Sequence, residues 1–197
     1  MIFQGNVDVS GFSRIVGVDE VGRGTLAGSV VAAAVILPEG FRDPRIKDSK
    51  LIKSLKKREE TETLIKENAI CWGIGAASPQ EIDQMNILQA TYLAMKRALD
   101  SCSIKPDFIY VDGDKFNGYN GIPYECVIKG DSKVQSIAAA SIIAKVHRDR
   151  LMRELHNEFP KYSWETNVGY GTADHIKSIR EIGITKHHRR TFCQNFI

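Results

Sequence analysis

Four acidic residues stand out by where they fall in the chain. Asp19 and Glu20 come where the apolar run from Ile15 meets the glycine-rich stretch Gly22 to Gly28; Asp112 ends the apolar FIYVD; Asp131 follows Gly130 ahead of the apolar SIAAASIIA. Carboxylates at the edges of apolar elements are costly to keep ionised unless something compensates them, and a hard divalent cation with oxygen ligands does so well. A Mg²⁺ or Mn²⁺ site suits phosphodiester hydrolysis, in which two cations about 4 Å apart stabilise the attacking water and the leaving oxygen. No Ser/His/Asp or Cys/His motif offers a rival nucleophile. Each acid also has a plainer reading as a turn or helix cap. Asp114 competes with Asp112, which is preferred because it directly ends the apolar run. Strict alternation puts Asp19 and Glu20 on opposite faces, so joint action requires the strand to end there, as Gly22 makes reasonable.

Around these acids lie groups suited to a nucleic acid. Gly22-Arg23-Gly24 can bring unhindered backbone N–H groups to a phosphate or ribose with Arg23 as a phosphate fork, or can simply be a tight turn. The stretch lacks G-x-G-x-x-G spacing and leads into a strand, which argues against a dinucleotide loop. Basic residues gather from Lys47 through Lys50 to Arg58, at Lys145, Arg148, Arg150 and Arg153, and from Lys186 to Arg190. These clusters fit duplex tracking or an ordinary solvated face. Tyr170, between two glycines, is expected to be exposed and able to stack on a sugar or base, unless it is a buried structural tyrosine.

The elements that must position these groups are legible from periodicity. Strands are expected at Ile15 to Glu20, Ser29 to Leu37 and Ala69 to Ala77, forming a meander, with further strands at Phe108 to Asp112 and Glu125 to Lys129. Ser54 to Glu67 has helical character. Ser78-Pro79-Gln80-Glu81 is a capping box opening one helix whose apolar face runs from Met85 to Leu99. Ser132 to Asn157 reads as a buried helix, and Thr172 to Ile182 as a helix stopped by Gly183. The pattern indicates an α/β fold with a central mixed sheet flanked by helices: a core over 1–157 and a small C-terminal helical appendage over 158–197 packed on it.

Composition narrows the class without naming a partner. The 197 residues are 43% hydrophobic and 26% charged, and 27 basic against 24 acidic residues leave a net charge of only +3. The four cysteines include no C-x-x-C pair, which suggests reduced cytoplasmic thiols rather than a zinc site or disulfide framework. The N-terminus has no basic start followed by an apolar stretch, and the run Leu26 to Leu37 is too short to span a bilayer, so neither secretion nor membrane insertion is expected.

The ordered motifs Val18-Asp19-Glu20-Val21-Gly22-Arg23-Gly24, Lys47-Asp48-Ser49-Lys50, Tyr110-Val111-Asp112-Gly113 and Lys129-Gly130-Asp131 before SIAAASIIAKVHRD resemble ribonuclease HII. Gly169-Tyr170-Gly171-Thr172 with His175, and His187 to Phe192, extend the resemblance from about Ile15 to Phe192. It implies a ribonuclease H-like fold and an endonuclease that cuts the RNA strand of RNA/DNA hybrids and incises duplex DNA 5′ to embedded ribonucleotides. It further implies that Asp19, Glu20, Asp112 and Asp131 are the catalytic metal ligands for two Mg²⁺ or Mn²⁺ ions, with Asp19 shared between them. Gly22, Arg23 and Gly24 would engage the ribonucleotide and Tyr170 the following deoxyribose, with Lys50 and Arg190 as weaker phosphate contacts. A monomer is expected, with a replication clamp as a candidate partner.

Two departures from the family pattern bear on affinity. Thr25 replaces a usual proline, which is expected to loosen the turn, and Val168 replaces a common lysine, removing a phosphate contact. The competing readings are a type 3 ribonuclease H, disfavoured because the acidic motif begins by residue 19, and a non-catalytic binding module of the same fold.

Overall fold

The computed structural model describes residues 7–197; the first six residues of the N-terminal stretch examined for a leader lie outside it. Three antiparallel strands, β1 (Ile15–Val21), β2 (Val30–Ile36) and β3 (Cys71–Ala77), form the expected meander. β4 (Phe108–Asp112) and β5 (Tyr124–Val127) extend it in parallel, giving a mixed sheet of order β3-β2-β1-β4-β5. β2 lies next to the centre and is buried along its whole length, which explains why it reads as a continuous apolar run.

Helices cover both faces. On one, α3 (Ile87–Asp100) packs Ala94, Met95, Ala98 and Leu99 against Val16, Val18, Ala32 and Val111. On the other, α4 (Gln135–Glu158) lays Ala139, Ile142, Ile143 and Val146 over Val31, Ala33 and Val35, with α1 (Leu55–Asn68) beside it. α4 crosses β1 at Gly17, where a side chain would run into the backbone of Ser136 and Ile137. A glycine there lets helix and strand approach closely enough to bring the acids near each other.

One expected helix is two. α2 (Pro79–Met85) stops at Asn86, whose backbone is left-handed at φ 71°, and the Asn86 side chain accepts from the N–H groups of Leu88 and Gln89 to start α3. Apolar periodicity continues across this break, whereas an asparagine able to adopt that conformation and cap the next helix redirects the chain. The stretch Ser132 to Asn157 also begins differently, with a 3₁₀ turn at Gly130–Ser132 before α4. Beyond it, α5 (Trp164–Asn167), α6 (Ala173–Ile182) and α7 (Arg190–Cys193) surround a cluster of Tyr162, Trp164, Ile179 and Cys193 that includes Leu26, Ala27 and Met152. The C-terminal helices therefore pack directly on the glycine turn. No helix among the described residues is long and apolar enough to cross a membrane.

Candidate active site

The parallel ladder pairs Val18 of β1 with Val111 of β4, so the next residues in line are Asp19 and Asp112. Both continue the pleat face that holds Gly17 and Tyr110, the side covered by α4. β1 does not end at Glu20 as expected; it continues to Val21 on its β2 side, pairing Asp19 with Ala33 and Glu20 with Ala32. What ends is its pairing with β4, and this frees the β4 side of β1 beside the two acids. Asp131 arrives from the 3₁₀ turn ahead of α4. The Gly130 N–H donates to Asp112 Oδ1 at 2.6 Å, tying that turn to the end of β4.

The acids are electrostatically linked as well as adjacent. Asp19 is 5% exposed, and burial, reinforced by the charges of Glu20 and Asp112, holds its proton well above the ordinary aspartate range. Burial likewise raises Glu20, against the opposing pull of Arg23, whose Nη1 lies 3.3 Å from Glu20 Oε1. Burial raises Asp112 too, with the Gly130 N–H opposing and the Asp131 charge adding to it. Among the described residues no group of three or more Asp, Glu, His or Cys side chains is placed so that it could hold a metal ion. The donor chemistry nevertheless fits a hard divalent cation: oxygen ligands only, largely buried, repelling one another.

Two serines complete the support of Asp19. Ser141 of α4 donates to Asp19, and Ser49 Oγ lies 3.0 Å from Ser141 Oγ in a buried contact. Ser49 lies in a 3₁₀ turn (Ser49–Leu51) that also presents Lys50, whose Nζ is 3.3 Å from Asp131 Oδ2 and whose side chain is 80% exposed. Sequence reasoning passed over both serines. The available signal was a lone hydroxyl within the apolar IAAASIIA, a position that requires a partner.

The glycine turn is held from beneath by two arginines. Arg148 of α4 donates to the carbonyls of Ser29, Val168 and Ala27 and to Thr25 Oγ1, at 2.8–3.0 Å. Arg189 donates to the carbonyls of Gly28, Arg23 and Gly22. Both side chains are essentially inaccessible, and burial lowers their proton affinity, Arg148 to about 10 and Arg189 to about 9, which leaves both cationic at neutral pH. Of the cluster read as either duplex-tracking or solvated, Arg148 is buried and serves neither purpose, while Lys145 pairs with Asp149, Arg150 with Glu62 and Arg153 with Glu59. A turn that presents its N–H groups outward points carbonyls inward, and these need donors.

Thr25 is bonded into this turn. Its hydroxyl is buried within reach of the carbonyls of Gly22 and Ala27 and accepts from Arg148, cross-linking the turn that a proline would have stiffened. Gly24 is open, with no atom within 4 Å of a would-be Cβ. The loop bearing Tyr170 docks alongside, with Gly169 O accepting from Leu26 N at 2.8 Å. Tyr170 is 45% exposed. Val168 has a left-handed backbone, and its carbonyl serves Arg148. Arg190 is exposed at the start of α7, and its backbone N–H donates to Asp83 of α2.

Comparison with known proteins agrees with this geometry. A family model described as ribonuclease HII matches residues 16–195. The ribonuclease HII of Pelagibacter ubique is 53% identical over 178 residues, covering 90% of this chain and 95% of that protein. Among solved structures, the ribonuclease H2 of Pyrococcus horikoshii OT3 superposes with a TM-score of 0.76 at 26% identity, covering 93% of this chain and 96% of that one. The ribonuclease HII of Archaeoglobus fulgidus, solved in complex with PCNA, gives 0.73 at 25% identity over 89% and 93%. The acid-bearing mixed sheet and the match along nearly all its length place this chain in the ribonuclease HII family, a group of metal-dependent endoribonucleases acting on RNA/DNA hybrids.

Proposed function

We propose that this enzyme incises duplex DNA on the 5′ side of embedded ribonucleotides, leaving a 3′-hydroxyl and a 5′-phosphate, and that Asp19, Glu20, Asp112 and Asp131 are its catalytic metal ligands. The observation that carries this reading is the alignment of Asp19 and Asp112 at the ends of neighbouring parallel strands, with the Gly130–Asp131 turn hydrogen-bonded to Asp112. Two Mg²⁺ or Mn²⁺ ions held by these residues would supply charge stabilisation to the attacking and leaving oxygens. Asp19, next to Glu20 in the chain and to Asp112 across the ladder, would be the ligand common to both ions, and Ser141 holds its carboxylate.

Recognition belongs to the neighbouring loops. Gly22, Arg23 and Gly24 meet the ribonucleotide and its phosphates, Tyr170 packs on the following deoxyribose, and Lys50 and Arg190 contact phosphates further out. The 2′-hydroxyl is the group that distinguishes the substrate from DNA. Residues 158–197 act as a helical appendage that carries Tyr170 to the glycine turn. We further infer a cytoplasmic monomer; a sliding clamp is a candidate partner, by analogy with the Archaeoglobus fulgidus complex.

The test is cleavage of three duplexes with Mg²⁺ or Mn²⁺: DNA with one ribonucleotide, a continuous RNA/DNA hybrid, and DNA alone. Cutting of the first two at the stated side is expected. Uncut single-ribonucleotide duplex overturns the incision reading, and binding without any cutting identifies a non-catalytic module. Asp112→Asn should reduce turnover by at least about 10²-fold with duplex binding largely retained; near-normal turnover removes Asp112 from the ligand set.

A further inference from the structure

His175 and His188 are buried at 0% and 3% exposure, and neither contacts the acids, yet their hydrogen bonds define a single proton arrangement. His175 Nδ1 lies 2.9 Å from the Tyr170 carbonyl, which can only accept, so Nδ1 carries a hydrogen. Its Nε2 receives the Trp164 indole N–H at 3.0 Å and is therefore the bare nitrogen of a neutral ring. Facing it at 3.2 Å is His188 Nε2. His188 Nδ1 accepts the Thr185 N–H at 3.0 Å, which leaves the hydrogen on Nε2, directed at His175.

The relay therefore runs from the Thr185 backbone through His188 and His175 to the carbonyl of Tyr170. The rings of Tyr162 and Trp164 pack against both histidines and keep water out. One residue before Tyr170, the Gly169 backbone sits at φ 85°, with its carbonyl engaged by Leu26 of the glycine turn. One peptide thus docks on the turn and the next is gripped by His175, leaving the exposed tyrosine ring between two fixed points.

We infer that His175 is a positioning residue for substrate recognition: its Nδ1–H, set by the tautomer that His188 and Trp164 impose, fixes the backbone of Tyr170 so that the ring stands ready at the glycine turn. The inference rests on the proposed contact between Tyr170 and the sugar. It also gives His188 a part in selectivity, because His188 sets the ring that holds Tyr170.

The experiment compares His175→Asn, which keeps a donor near the Nδ1 position, with His175→Gln, which keeps a polar group near Nε2 and loses that donor. With the single-ribonucleotide duplex, His175→Gln should raise KM about three- to tenfold, the worth of one lost hydrogen bond, with kcat within about twofold of wild type. His175→Asn should stay nearer wild type although it abandons Trp164 and His188. Equal KM for the two variants, or a larger rise for His175→Asn, overturns the inference. Tyr170→Ala is the separate arm: unchanged selectivity there defeats the sugar contact itself, whereas a loss there with no effect of His175→Gln defeats only the positioning role. Imidazole ¹⁵N shifts of the unmodified protein give an answer even if the variants unfold. Nδ1–H on His175 and Nε2–H on His188 are expected, and the opposite tautomer on His175 rules the proposal out.

Discussion

A Cβ on Gly22 would stand inside the Arg148 guanidinium, so the residue that opens the recognition turn and the arginine that supports it occupy adjoining space with none left over. Gly22 also has φ 90°, a conformation that strains any side-chain-bearing residue. The two constraints are independent and act at the same atom.

Gly22→Ala should therefore destabilise the fold by about 2–4 kcal/mol, through both left-handed strain and displacement of Arg148, and weaken hybrid binding. Gly24→Ala meets no neighbour and should leave stability within about 0.5 kcal/mol. Denaturant unfolding of both proteins checks this, and equal losses would contradict the assignment of Gly22 as the crowded position.

Arg189→Lys replaces a planar fork that serves the carbonyls of Gly22, Arg23 and Gly28 by a single ammonium. The expected cost is about 2–4 kcal/mol, because buried carbonyls lose their donors. Chemical denaturation measures it; a loss below about 1 kcal/mol would mean that the turn does not depend on this arginine.

Thr25→Val preserves shape while removing the hydroxyl that accepts from Arg148. Ala27 O remains for that guanidinium, so a loss of only about 1–2 kcal/mol is expected. Unaltered stability would show that the threonine merely fills space.

Asp19 binds its proton more tightly in the folded chain than in the unfolded one, so the fold is most stable where that proton is present and loses stability as pH rises and the carboxylate ionises. Asp19→Asn cannot ionise. In metal-free buffer at neutral pH its Tm should exceed wild type by roughly 2–8 °C, and the gain should shrink as pH falls towards about 4. Added Mn²⁺ should raise the wild-type Tm and leave the variant's nearly unmoved. A variant less stable than wild type at pH 7 would contradict the burial argument.

The four acids stood out as carboxylates at element ends, and the strands and the α4 helix were readable because each follows from local rules, alternation and apolar runs. The break at Asn86 was not, since an apolar face continues through it and only the φ of 71° reveals the turn. Arg148 and Arg189 were read within basic clusters and proved to be buried, and Ser49 and Ser141 were passed over because the partners that give them meaning lie 92 residues apart in the chain.

Taken alone, the sequence determined the residue types available for chemistry, the sheet-forming runs, and the family to which their order belongs. Only the tertiary structure decided that Asp19 and Asp112 stand level on parallel strands, that Arg148 and Arg189 turn inward to hold a glycine turn, and that His175 grips Tyr170. Periodicity records which way a residue faces from its own element, whereas register between strands and the satisfaction of buried carbonyls depend on which distant segments meet.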